Sequence, residues 1–151
     1  AGEYAAHTED KENTMEAALA EAAFMTGLEK NAGVIKLASY APLFNRIGHS
    51  QWKPDMIWFD DHEVYLTPNY YVQKLYANHV LKAVNTTDDA FLLPVEGADG
   101  QPVAGAAKIW VLETAGEKPA DKPEPSKVAE CALELNGSIR LAPKSFTVLE
   151  V

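Results

Sequence analysis

The chain has 151 residues, 47% of them apolar and 23% charged, with 22 acids against 13 bases for a net charge of −9. These values match ordinary globular domains, room for one domain and a small appendage, and exclude a wholly disordered chain, a collagen-like fibre and a coiled coil. The acidic balance argues against nucleic acid and anionic membranes as partners, the single Cys131 excludes an internal disulfide framework, and no apolar stretch approaches the roughly 20 residues of a membrane-spanning helix. A chain opening at Ala1-Gly2-Glu3-Tyr4, with no Met and no basic apolar leader, reads as cut from something longer.

Glu3 to Ala6 is short enough to be a strand. Asn13 followed by Glu16 then reads as a helix start, with the Asn side chain capping free amides. From Met15 to Lys30 nearly every residue is a good helix former, and Met15, Ala18, Leu19, Ala22, Met25 and Leu28 recur on one face. Asn31-Ala32-Gly33 supplies the stop, with Gly33 suited to a left-handed cap. Val34–Ser39 is expected to be a buried strand interrupted by Lys36. Residues 40–66 show no clear period and read as a long loop. Thr67-Pro68 opens a second helix, to about Asn78, with Tyr71, Val72, Leu75 and Tyr76 on one face. Strand and helix alternating in this way argue for parallel strands covered by helices.

After His79 the pattern changes to short apolar runs at 79–84, 89–95, 103–113, 127–135, 138–142 and 145–150, separated by Gly, Pro, Asn and Asp. Asn136-Gly137 suits a type I′ turn, so 130–135 and 138–141 are expected to pair as a hairpin. Ala115–Ser126 is charged and punctuated by Pro, which predicts an exposed, mobile connection.

Few residues stand out chemically. Glu3 lies near the end of the first strand, where parallel-stranded barrel enzymes place catalytic groups, although a lone Glu near a terminus is more often a solvated charge. Tyr40 leaves the second strand and could line a pocket mouth or simply pack there. Trp52 and Trp58 flank Pro54-Asp55, and an aromatic face beside a carboxylate suits a sugar ring, whose C–H faces are apolar and whose edges carry hydroxyls, although Trp is more often simply a loop anchor. Asp60, Asp61, His62 and Glu63 are consecutive, so they cannot all face one ion, and a solvated loop is the better reading. His7, His49 and His79 accompany no nucleophile motif, and no Gly-rich phosphate loop occurs. Asn85-Thr86-Thr87 and Asn136-Gly137-Ser138 match the glycosylation acceptor pattern, the second being better explained as a turn.

Several blocks taken together resemble a known family. Gly2-Glu3-Tyr4-Ala5, Ala18–Asn31 and Ala38-Ser39-Tyr40-Ala41-Pro42-Leu43-Phe44 are similar to segments of the retaining α-L-arabinofuranosidases of glycoside hydrolase family 51. So are Gln51–Phe59 and Thr67–Gln73, in the family's order, while Leu141–Phe146 resembles the last strand of its C-terminal β domain. The resemblance implies an α/β part followed by an all-β part. The α/β part, residues 1–78, would be the C-terminal remnant of a (β/α)8 barrel (strand, helix, strand, helix), and 79–151 a small antiparallel, sandwich-like domain. It implies Glu3 as the nucleophile at the end of the seventh barrel strand, and makes Tyr40, Trp52 and Asp55 the substrate-contact candidates. The matching acid/base would lie on an earlier strand, so the isolated chain is expected to be inactive. The implied partners are an arabinose-containing polysaccharide or oligosaccharide and the missing barrel half; no cofactor and no metal are expected. Edge-to-edge pairing with a second copy, and a periplasmic or secreted setting, are further expectations. The alternative reading makes 79–151 a non-catalytic carbohydrate-binding or structural β module.

Overall fold

The computed structural model describes the backbone of residues 2–4 and, in full, residues 9, 11–79 and 81–151. Two short strands, β1 (Gly2–Tyr4) and β2 (Ala38–Tyr40), pair in parallel, with α1 (Met15–Lys30) between them in the chain. Ala5 and Ala6, expected to extend the first strand, fall outside the described residues.

Helix α1 occupies the predicted range, but its cap is one residue later than expected. Thr14 is the N-cap, its hydroxyl accepting the Ala17 N–H at 3.2 Å. Asn13 is instead 1% exposed and joins the interior. At the other end Gly33 is not left-handed; the helix closes through Asn31, whose side chain donates to the Gly27 carbonyl at 2.8 Å. The expected strand from Val34 shrinks to Ala38–Tyr40, with Val34 86% and Leu37 65% exposed, so no buried strand runs through them.

The span read as a loop holds a three-stranded sheet: β3 (Phe44–Arg46) parallel to β4 (Ile57–Phe59), which is antiparallel to β5 (Val64–Leu66). Strands of three residues are too short to show a period, which is why alternation could not reveal them. Helix α2 (Pro68–Asn78) follows, capped by Thr67. The Thr67 hydroxyl accepts the Tyr70 N–H at 3.2 Å and donates to the Met56 carbonyl at 2.7 Å, tying the helix to the small sheet.

The remaining strands are β6 (Leu81–Asn85), β7 (Phe91–Pro94), β8 (Ala104–Thr114), β9 (Ser126–Asn136), β10 (Ser138–Leu141) and β11 (Ser145–Glu150). They form an antiparallel sheet in the order β6-β11-β8-β9 and a separate pair, β7 with β10. The expected hairpin across Asn136-Gly137 does not form, because β9 pairs with β8 and β10 with β7. Gly137, at φ +74°, turns the chain from one sheet to the other, and a Cβ there would stand 2.9 Å from the Pro102 Cβ. The requirement for Gly was legible; its use was not.

Alternation divides the core. Leu112, Phe146 and Val148 point to one side of the four-stranded sheet and pack with Met15, Ala18, Leu19, Ala22, Val72, Leu75 and Tyr76 of the helices. Ala107, Leu135 and Leu149 point to the other side, against Ile139 and Leu141 of the two-stranded pair. The result is three layers, helices, sheet and sheet. The helices therefore share a core with the β region, and packing is continuous across residues 78 and 79.

Candidate functional site at the strand exits

Because β1 and β2 are parallel, the chain leaves both at the same edge, where open α/β sheets carry their ligand sites. Glu3 is in register with Ser39, and Tyr4 with Tyr40. Ser39 is exposed, whereas Tyr40 is 4% exposed. Ala38, two residues before Tyr40 and so on its face, is exposed as well, so what is covered in β2 is its exit residue rather than one whole face. The Glu3 side chain itself is outside the described part.

The segment leaving β2 carries the other two candidates, and it separates them. Trp52 is 72% exposed, on a loop held by a short relay: Asn45 Nδ2 donates to Ser50 Oγ at 3.1 Å and Ser50 Oγ to the Trp52 carbonyl at 2.8 Å. Asp55 is 2% exposed, and its Oδ2 is buried without a hydrogen-bond partner among the described residues. Burial raises its pKa to about 6, against the pull of Lys53. Such a shift suits a general acid, but a carboxyl with this little exposure cannot reach a leaving group from where it stands.

Between the loop and the helices runs a polar relay that the sequence did not announce. Trp58 Nε1 donates to Asn13 Oδ1 at 3.0 Å, and Asn13 Nδ2 donates to Asn69 Oδ1 at 3.1 Å. Asn69 Nδ2 and Gln73 Nε2 then donate to the two oxygens of Glu21. The direction of the relay is fixed at its indole end, since an indole can only donate. Glu21 is fully buried, and burial raises its pKa to about 7 although both amides favour its ionised form. One signal could have exposed this cluster: Asn69 and Gln73 are four apart on one helix face, and Glu21 interrupts an alanine-rich helix.

Ion pairs cross the same edge. Glu12 Oε1 meets Lys53 Nζ at 3.2 Å and Glu12 Oε2 meets Lys118 Nζ at 3.0 Å, and these cations hold the Glu12 pKa below its usual value despite burial. Asp60 is a turn former: its Oδ1 accepts the N–H groups of His62 and Glu63 at 2.8 and 2.9 Å, which lowers its pKa to about 2. Among the described residues no group of three or more His, Cys, Asp or Glu is placed to hold a metal ion. Asn85 is 1% exposed with its amide donating to two carbonyls, so the folded chain does not offer it for glycosylation.

Residues 2–149 match the family described as the α-L-arabinofuranosidase C-terminal domain. The chain belongs to this family. It is similar to an extracellular exo-α-L-arabinofuranosidase of Streptomyces chartreusis, 46% identical over 116 residues, which cover 76% of this chain and 13% of that protein. α-L-Arabinofuranosidase 1 of Arabidopsis thaliana is 51% identical over 61 residues, 40% of this chain and 9% of that one. Among solved structures, an arabinose-bound family 51 α-L-arabinofuranosidase superposes with a TM-score of 0.80 at 25% identity, covering 97% of this chain and 31% of the other. The arabinose complex of the Thermotoga maritima enzyme shares the fold, with a TM-score of 0.72 at 13% identity over 99% of this chain and 42% of that one. The chain thus spans a minor part of each relative's length.

Proposed function

We propose that this chain is the C-terminal part of a retaining α-L-arabinofuranosidase acting on terminal arabinofuranosyl groups of plant polysaccharides or oligosaccharides. In this reading β1, α1, β2 and α2 are the last strands and helices of a (β/α)8 barrel, and 79–151 form the C-terminal β domain that covers them. Glu3 is the nucleophile: its carboxylate attacks the anomeric carbon, the glycosidic bond breaks, and water later hydrolyses the glycosyl-enzyme. A second carboxyl about 5 Å away protonates the leaving oxygen and then activates that water. It comes from outside this chain, so the isolated chain does not turn over. Trp52 offers its exposed ring to sugar, while Tyr40 and Asp55, both buried, support the site from within the fold.

One observation supports the reading: Glu3 lies in β1, in register with the exposed Ser39 of the parallel β2, one residue before the edge at which both strands exit. The core shared between the helices and the four-stranded sheet favours a structural role for 79–151 over a separable binding module. The test replaces the matching segment of the Streptomyces chartreusis relative with this chain and assays an aryl α-L-arabinofuranoside. Turnover by the graft, lost in Glu3→Gln and absent from the isolated chain, is expected. Turnover that survives Glu3→Gln removes Glu3 from the mechanism.

A further inference from the structure

Ala115–Ser126 is expected to be a mobile connection, but Ser126 opens β9 and residues 115–125 are anchored at several points. The Ala115 N–H donates to the Pro125 carbonyl at 2.8 Å and closes the base of the excursion, and Pro123 is buried. Near its end Glu124 turns onto the start of α1. Its Oε2 accepts the Met15 N–H at 2.6 Å, and its own N–H donates to the Asn13 carbonyl at 3.1 Å. The other oxygen accepts the Thr114 hydroxyl at 3.0 Å, which fixes the carboxylate to the end of β8. A helix begins with unpaired N–H groups and partial positive charge, so a carboxylate from 109 residues away supplies what the local cap leaves unfilled.

Two lysines extend the grip. Lys118 Nζ meets Glu12 Oε2 at 3.0 Å, and the other Glu12 oxygen holds Lys53, the residue next to Trp52. Lys122 Nζ donates to the Tyr65 hydroxyl at 2.6 Å, on β5. One excursion of the β region therefore holds both segments that leave the parallel pair: residues 12–15 after β1, and the Trp52 loop with the small sheet after β2.

We propose that residues 115–125 are a brace through which the β region fixes these two strand-exit segments relative to each other, with Lys118, Lys122 and Glu124 as positioning residues for the Trp52 loop. It rests on the arabinofuranosidase reading only in taking that edge as the substrate side. The brace acts through other residues: it sets where the aromatic face stands with respect to the end of β1.

Hydrogen exchange on the 151-residue chain tests this. Lys118→Met should speed exchange about two- to fivefold in both 11–15 and 49–55, the scale of a part-exposed ion pair, leaving 126–150 unchanged. Lys118→Arg should restore protection, since it keeps the charge, and Glu124→Gln should reproduce the effect at 11–15. Faster exchange confined to 115–125, or spread evenly over the whole chain, would overturn the brace. The measurement uses no substrate, so an inactive graft would defeat the arabinofuranosidase reading and leave this one standing.

Discussion

The four-stranded sheet and the segment between β2 and α2 are built on opposite principles. The sheet is held by area: β11 is buried along Ser145–Leu149, with Phe146 and Val148 against the helices and Leu149 against the second sheet. The β2–α2 segment has strands of three residues and leaves Phe44 65%, Trp52 72% and Val64 64% exposed. What fixes it is side-chain hydrogen bonding, from Trp58 through Asn13 and Asn69 to Glu21. Apolar burial is non-directional and tolerates approximate fit, whereas a buried polar relay fails when one member is lost. The two regions should therefore respond differently to substitution and to pH.

The largest effect is expected in the sheet. Phe146 is fully buried and stacks on Tyr76 with ring centroids 5.3 Å apart. Phe146→Ala should cost about 3–5 kcal/mol, lost apolar contact plus an unfilled cavity, read as a fall in the urea midpoint. The loss should be the same at pH 5 and pH 8, because nothing titratable depends on that ring. A strongly pH-dependent loss would blur the distinction between the regions.

The relay should behave in the opposite way. Burial makes Glu21 hold its proton to about pH 7 in the folded chain, against 4.5 for an ordinary glutamate. Between those limits the folded state binds more protons than the unfolded one, so stability falls as pH rises, by about 3 kcal/mol across the window. Asp55, raised to about 6, adds a contribution of the same sign. Glu21→Gln should flatten most of the slope measured by urea unfolding from pH 4.5 to 8. A variant whose slope matches the parent would show that Glu21 is not the titrating group.

The same contrast explains what the sequence disclosed. Both helix ranges and all six strands after residue 79 were legible, because long periodic runs decide which face is buried. Pairing was less legible: Asn136-Gly137 carries the turn chemistry of a hairpin, yet β8 and β10 offer comparable apolar partners and tertiary packing chose between them. The β3–β5 sheet was invisible because three residues carry no period. The anchoring of residues 115–125 is hidden for a related reason. The lysines and Glu124 there look solvated until their partners, more than 50 residues away in sequence for Lys122 and Glu124, are known. At the site, Trp52 is exposed while Tyr40 and Asp55 are buried, a difference beyond the reach of spacing alone.

The smallest effect separates two neighbours that the sequence confuses. Asn13 has the composition of an N-cap, but Thr14 holds the cap and Asn13 holds the relay. Thr14→Ala should cost about 1 kcal/mol or somewhat less, because Glu124 continues to cover the Met15 N–H. Asn13→Ala should cost more, about 1–3 kcal/mol, since it strips Asn69 of a buried donor and leaves the Trp58 indole to the Asp55 carbonyl at 3.1 Å. The pair can be read in one denaturation series. Equal losses would mean that Asn13 contributes no more than a cap would. A larger loss at Asn13 would show that the boundary of α1 is set by what its first residues bind across the fold, with the local capping pattern secondary.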